Sequence, residues 1–291
     1  MKVLVFGGSG QLGKCIQDVY CDNPMGDVFL FYGSDTCNIA SSAAVSNIVK
    51  SEKPDFIVNC AAYTNAYNAE FSAEGQKLAY QVNTIGAMNV AYACKENNVK
   101  LIHISTDYVF NGEGGFYGAL DECLPINVYG RSKYLGEEAI EQIMSEETFL
   151  IIRTSWLFSK YSKNSFTKMA DAIMKGEPVK AVEDQVGCPT YSLDLANFIV
   201  DEIRNTVEYP PYGLCQYTNL GVASRYDIAK EIERYYGKNG LVEPITSEDS
   251  GDAVPRPKVC IMSKYWAKKM GKTRHWIEAL HEFLDEYTVK Q

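Results

Sequence analysis

The chain opens on an apolar run, Lys2-Val3-Leu4-Val5-Phe6, which stops at Gly7. Short runs of the same kind recur at Val28–Tyr32, Phe56–Ala62, Leu101–Ser105 and Phe149–Arg153. Their apolar residues do not alternate with polar ones, the pattern of parallel strands buried on both faces. Helical segments separate them: Gln11 to about Tyr20, Ser41 to Glu52 ahead of Pro54, a long stretch after Ala62 that contains Asn83, and Tyr129 to about Met144. Alternation of strand and helix predicts an α/β fold with a doubly wound parallel sheet over residues 1–155. Residues 111–128 form a Gly- and Pro-punctuated loop in that plan, long enough to be functional. The pattern then loosens. Helices are expected over Ser165–Lys175, Leu193–Arg204 and Ser224–Tyr236, with a break at Pro210-Pro211 and a return to the sheet at Leu214–Thr218. From His275 to Tyr287, the residues Trp276, Ile277, Leu280, Phe283, Leu284 and Tyr287 form one core-facing stripe. Residues 156–291 therefore read as a smaller α/β region, with segments near 191–220 returning to the first domain.

Composition narrows the function. The 291 residues suffice for one large or two small domains, with 46% hydrophobic and 22% charged residues in the ordinary globular range. A net charge of -9 argues against nucleic acid or an anionic membrane as partner. Nine cysteines are scattered singly and none clusters with the three histidines, so neither a disulfide framework nor a zinc site is expected, and no metal. This composition fits a reducing, cytoplasmic setting. The opening apolar run is too short for a signal peptide or a membrane span.

The chemistry-bearing motifs sit at the strand ends. Gly7-Gly8-Ser9-Gly10-Gln11-Leu12-Gly13 joins the first strand to the first helix, where glycines and free helical N–H groups admit a pyrophosphate. That placement makes the sheet Rossmann-type and residues 1–155 a dinucleotide-binding domain. The second strand ends at Tyr32-Gly33-Ser34-Asp35, with the carboxylate late and no basic residue for a 2′-phosphate, so NADPH and NADH both stay open. Asn38 and Ile39 either meet the adenine region or start the next turn. Cys60-Ala61-Ala62 leaves room for a flat ligand or reflects tight packing. Asn83 lies inside a helical stretch, where an Asn costs propensity and either serves a site or is bonded locally. The fourth strand delivers Ser105-Thr106-Asp107, hydroxyls placed to meet a substrate oxygen or to cap a turn. His103, inside that strand, reads as a core histidine. Tyr129 and Lys133 stand four residues apart on one helix face, where a cation lowers a phenol's pKa and readies it as a general acid.

Joined in order, these stretches resemble the extended short-chain dehydrogenase/reductase superfamily, and within it the dTDP-4-dehydrorhamnose reductases. The resemblance rests on G-G-S-G-Q-L-G at 7–13, P-D-F-I-V-N-C-A-A-Y-T at 54–64, S-T-D-Y-V-F at 105–110 and N-V-Y-G-R-S-K at 127–133. It continues through R-T-S-W-L-F at 153–158, D-Q-V-G-C-P-T at 184–190 and R-P at 256–257. It implies that Tyr129 donates the proton, that Lys133 tunes it and binds the nicotinamide ribose, and that Thr106, or in second place Ser105, bonds the reacting sugar oxygen. Asp107 and Trp156 would shape the sugar pocket. Gly7, Gly10, Gln11, Leu12 and Gly13 would hold the cofactor, with Ala61, Ala62 and Tyr63 near its ribose and nicotinamide and Asn83 in support. Thr190 and Arg256 would face the nucleotide sugar, Arg256 as a diphosphate partner or else in a structural ion pair. The implied reaction is reduction of a 4-keto deoxysugar nucleotide by NADPH or NADH, and a homodimer is left open. Residues 156–291 would then mainly bind substrate. The chain departs from the family pattern at Asn65–Glu70, at Ala119, at Cys15 where a glutamate is tied to a magnesium-bridged dimer, and at Lys258. Two rivals follow: another nucleotide-sugar reductase or epimerase of the superfamily, and a non-catalytic regulatory subunit resembling the methionine adenosyltransferase beta subunit.

Overall fold

The computed structural model describes residues 1–291 apart from 23, 206–212, 266–267, 269–272 and 290–291. In the first half the order is β1 (Lys2–Phe6), α1 (Gln11–Asp22), β2 (Val28–Tyr32), α2 (Ser42–Glu52), β3 (Phe56–Asn59), α3 (Ala66–Phe71), α4 (Ala73–Ala79), a π-helical stretch (Tyr80–Gly86), α5 (Ala87–Asn97), β4 (Lys100–Thr106), β5 (Gly115–Tyr117), α6 (Val128–Ile143) and β6 (Phe149–Thr154). The second half adds β7 (Leu157–Phe158), α7 (Ser165–Lys175), β8 (Val179–Val182), β9 (Val186–Gly187), β10 (Thr190–Tyr191), α8 (Ser192–Arg204), β11 (Gly213–Gln216), β12 (Ala223–Ser224), α9 (Arg225–Tyr235), β13 (Val242–Ile245), β14 (Cys260–Met262) and a C-terminal helix, Trp276–Val289.

Six strands form one parallel sheet in the order β2-β1-β3-β4-β6-β11. Both faces are covered, which is why the strands show no polar alternation. Val3, Val5, Val58 and Ile102 point to the side of α1 and α8, whereas Leu4, Phe6, Ile57 and Leu101 point to the side of α2, α5 and α6. The chain leaves β2 on one flank of β1 and returns as β3 on the other. This reversal opens a crevice beyond the C-terminal ends of β1 and β3, where such sheets take ligands. β11 docks beside β6, the return to the sheet expected at Leu214–Thr218. The Pro210-Pro211 break lies outside the described residues.

The second region has its own core. Phe158, Phe166, Tyr191 and Phe283 stack closely, the first two with ring centroids 4.4 Å apart. The C-terminal helix contributes Trp276, Leu280, Phe283 and Leu284 to this cluster. Two expectations were too simple. The long helical stretch expected after Ala62 begins only past Asn65, which caps α3, and is divided at Ser72, whose N–H closes α3 on Asn68 O and whose hydroxyl accepts from Gly75 N to start α4. It then widens into the π-helical turns around Asn83. The loop 111–128 also contains β5, which pairs with β14 across a long sequence separation.

Candidate active site

The glycine loop sits where the sheet reverses. Gly7 has a φ of +78°, and a Cβ there would come within 2.5 Å of Ala61 N. Only glycine fits both demands. Two cavities open at this point. One of about 380 Å³ is lined by Gly7, Gly10, Gln11, Leu12 and Gly13 on one side and by Ala62, Thr106, Tyr129, Lys133 and Trp156 on the other. The second, about 310 Å³, is lined by Asn38, Ile39, Ala61, Ala62 and Tyr63 together with Gly7 and Gly10. Asn83 faces neither cavity. Its amide accepts from Tyr63 N at 2.8 Å and donates to Tyr63 O at 3.0 Å and Ser132 Oγ at 2.9 Å. It clamps the Tyr63 backbone to α6, and the π-helical turns bring it inward to do so.

Tyr129 and Lys133 enter the larger of these cavities from the first turns of α6, which Asn127 caps by accepting from Gly130 N at 2.7 Å. Burial raises the Tyr129 phenol above its ordinary value, while a hydrogen bond with Thr106 works the other way. The expected effect of Lys133 on Tyr129 is not seen in this arrangement. Lys133 Nζ instead donates to Ile104 O at 2.6 Å and lies 3.2 Å from His103 Nε2, and burial lowers it to about 8. Thr106 Oγ1 donates to Asp107 Oδ1 at 3.2 Å. Asp107 is not on the cavity wall as expected. It is 2% exposed behind Thr106, accepts from Ser155 Oγ at 2.8 Å, and is raised to about 6 by burial. Ser105 Oγ and Thr154 Oγ1, on the same cavity, are buried with no hydrogen-bond partner. Buried hydroxyls are rarely left so, and a polar ligand in the cavity would satisfy them. The glycine-lined cradle and these orphaned hydroxyls fit a dinucleotide with a polar substrate beside it.

A further cavity of about 570 Å³ includes Arg225, Arg256, Lys168 and Gln185 in its wall. Arg256 takes the structural ion pair weighed for it and also stands on a cavity wall. It pairs with Asp252 at 2.6 Å, donates to Tyr108 Oη at 2.7 Å, and borders the cavity. Arg225 escaped the sequence reading, because a lone arginine opening a helix carries no motif. Its guanidinium lies 3.7 Å from the Trp156 ring centroid and donates to Ser165 Oγ at 3.1 Å. Trp156 lines the glycine-loop cavity, carries Arg225 on its ring, and has a φ of +46°, a conformation that costs about 1–3 kcal/mol for a residue with a side chain. Thr190 does not join the others. It is fully buried in β10, donates to Cys188 O at 3.3 Å, and is absent from the walls of all three cavities. Cys15 is buried under α1 with its thiol pushed up to about 12 by burial. Among the described residues, no group of three or more His, Cys, Asp or Glu side chains could hold a metal ion.

Comparison with known proteins places this geometry. The family model described as "RmlD substrate binding domain" matches residues 1–289. The chain is 35% identical to the spore coat polysaccharide biosynthesis protein SpsK of Bacillus subtilis over 98% of this chain and 97% of that protein. It is 33% identical to a dTDP-4-keto-6-deoxy-D-glucose reductase of Streptomyces niveus, over 95% and 94% of the two chains. The crystal structure of dTDP-4-dehydrorhamnose reductase from Bacillus anthracis in complex with NADP superposes with a TM-score of 0.89 at 35% identity, covering 98% of this chain and 99% of that one. Sequence, fold and family model agree: the chain belongs to the dTDP-4-dehydrorhamnose reductase family.

Proposed function

We propose that the protein uses NADPH or NADH to reduce the 4-keto group of a dTDP-4-dehydro-6-deoxy sugar, foremost dTDP-4-dehydro-L-rhamnose to dTDP-L-rhamnose. The observation that carries this reading is a single cavity. It joins the glycine loop to Tyr129, Lys133 and Thr106, with the orphaned Ser105 and Thr154 hydroxyls on its wall. A bound nicotinamide supplies the hydride. Tyr129 gives its phenolic proton to the oxygen that becomes the alkoxide, and the Thr106 hydroxyl steadies that oxygen. Ser105, having no protein partner, is a second donor to it. When bound, the cofactor would have its ribose held by Lys133, its pyrophosphate by Gly7, Gly10, Gln11, Leu12 and Gly13, its adenine side by Asn38 and Ile39, and its ribose and nicotinamide side by Ala61, Ala62 and Tyr63. Arg225 and Arg256 border the neighbouring cavity and suit a diphosphate, with Trp156 between that anion and the sugar.

In this reading residues 1–155, with 191–220 returning, bind the dinucleotide, and 156–291 mainly bind the sugar nucleotide. Support comes from α8 and β11 packing with the large sheet and from the separate aromatic core of the second region. No helix among the described residues is long and apolar enough to cross a membrane, and the described cysteines are free. The Streptomyces niveus relative favours one alternative, the epimeric keto sugar named for that protein. The test offers the purified enzyme dTDP-4-dehydro-L-rhamnose or dTDP-4-keto-6-deoxy-D-glucose with NADPH or NADH and follows loss of absorbance of the reduced nicotinamide. Turnover of the first substrate supports the main reading and turnover of the second alone supports the alternative. No loss with any combination overturns both.

A further inference from the structure

His103 presents both ring nitrogens to polar neighbours inside the sheet. Nδ1 lies 3.1 Å from Asn59 Nδ2, and Nε2 lies 3.2 Å from Lys133 Nζ. All three side chains are 1% exposed. Asn59 Oδ1 accepts from Ala61 N–H at 3.2 Å, which settles which end of the amide faces the ring. Turning the amide over would set its NH₂ against the Ala61 N–H, donor against donor. The amide therefore donates to Nδ1. A neutral imidazole that accepts at Nδ1 carries its proton on Nε2, so Nε2–H points at Lys133. An ammonium has three donors and no lone pair, and cannot accept this bond. A neutral amine can, and it still has an N–H for Ile104 O. A doubly protonated ring would meet a donor at each end.

We propose that His103 is a positioning residue: the one-way chain from Ala61 through Asn59 and His103 holds Lys133 as an uncharged amine until a cofactor meets it. The other ionisable groups facing Lys133 do not supply this control. Glu137, one turn further along α6, favours the ammonium but is engaged by Arg153. The Cys60 thiol at the end of β3 is pushed up to about 12 by burial and is neutral, as is the Tyr129 phenol. Burial acts in the same direction as the chain, and burial also drives His103 well below its ordinary value, so its ring is neutral. A ligand that brings hydroxyls and negative charge to Lys133 reverses the balance. The amine then takes one proton from solvent, gives up the bond from Nε2–H, and faces Tyr129 as a cation. This last step rests on the cofactor reading above; the resting state of Lys133 does not.

The experiment is an NMR pH titration of protein carrying ¹³C-lysine, with the Lys133 signal assigned from its loss in Lys133→Met. Burial lowers Lys133 to about 8, and without cofactor the bond from His103 should take the wild-type midpoint further down, below about pH 7. Asn59→Asp keeps the bond from Ala61 but leaves only acceptors at that position. His103 then carries its proton on Nδ1, Nε2 accepts from an ammonium, and the midpoint rises by about one pH unit or more. His103→Gln can turn its carbonyl toward Lys133, should raise the midpoint likewise, and serves if Asn59→Asp folds poorly. A wild-type midpoint above about pH 7, which leaves Lys133 mainly an ammonium at neutrality, or one unmoved by both variants, overturns the proposal. Saturating NADPH near the wild-type midpoint should move the Lys133 signal toward the charged form. If fluorescence shows NADPH bound and the signal does not move, the coupling to cofactor is wrong. If NADPH does not bind, it is the cofactor reading that fails.

Discussion

Arg225 shows how much of this site depends on a residue that carries no motif. Stacked on Trp156 and bonded to Ser165, it borders the cavity assigned to the nucleotide sugar. A hydrogen bond to a charged group contributes about 1.5–3 kcal/mol. Arg225→Ala should therefore raise KM for the sugar nucleotide by roughly 10- to 100-fold while leaving the NADPH dissociation constant near wild type. Steady-state kinetics and cofactor fluorescence titration check both. Asp107 yields a pH prediction. Burial raises it from 3.8 to about 6, so between those values the folded state binds the proton more tightly than the unfolded chain. Stability accordingly falls as pH rises through this window, and the penalty is complete above it. At about 1.4 kcal/mol per unit, Asp107→Asn should match wild type below pH ~4 and exceed it by roughly 3 kcal/mol near pH ~7. Urea melts across that range measure the gap. Local runs such as Gly7–Gly13 and Tyr129–Lys133 were readable because their geometry is set within a few residues. The Lys133–His103 contact was not, because it exists only once α6 packs on β4. Thr190 was misplaced because of the motif at 184–190 only Gln185 borders a cavity, whereas the Thr190 side chain is fully buried in β10.

Between elements, a buried ion pair ties α6 to β6. Arg153 on β6 makes a forked contact with Glu137 on α6, Nε to Oε1 at 3.1 Å and Nη2 to Oε2 at 2.6 Å. Both residues are almost fully buried. Removing one partner strands a buried charge at a cost of about 3–5 kcal/mol, whereas replacing both with apolar groups is often neutral. Arg153→Met should lower stability by that amount in chemical denaturation, and adding Glu137→Met should restore much of it. The strands and most helices of the large sheet were legible because their apolar runs are bounded by glycine, proline or caps. The π-helical stretch was not. Its register is decided by Asn83 bonding Tyr63 and Ser132, partners 20 and 49 residues away. β5 was hidden for a similar reason: three residues in a glycine-rich loop become a strand only beside β14.

At the scale of the molecule, the parallel sheet offers its C-terminal edge and the second region supplies the facing wall. A dinucleotide in the two sheet-edge cavities would contact α1, β3, β4 and α6 together, so binding should stabilise the large sheet as a unit. At a concentration about 100 times its dissociation constant, NADPH would add roughly 2.7 kcal/mol, and Tm should rise by several degrees in differential scanning calorimetry. An unchanged Tm under those conditions would contradict the assignment of these cavities. The succession of strands and helices was legible as alternation along the chain, although their order across the sheet was not. The arginine-lined cavity was not, because its wall is assembled from α7, β8, the first turn of α9 and the loop carrying Asp252 and Arg256.

The most direct test of the account removes one oxygen atom. Tyr129→Phe keeps the ring in the cavity and takes away the proton that the reaction needs. NADPH consumption with dTDP-4-dehydro-L-rhamnose should fall by at least about 100-fold, with NADPH affinity within a few-fold of wild type. A variant that turns over at nearly the wild-type rate would contradict the central claim that Tyr129 is the proton donor of a carbonyl reduction.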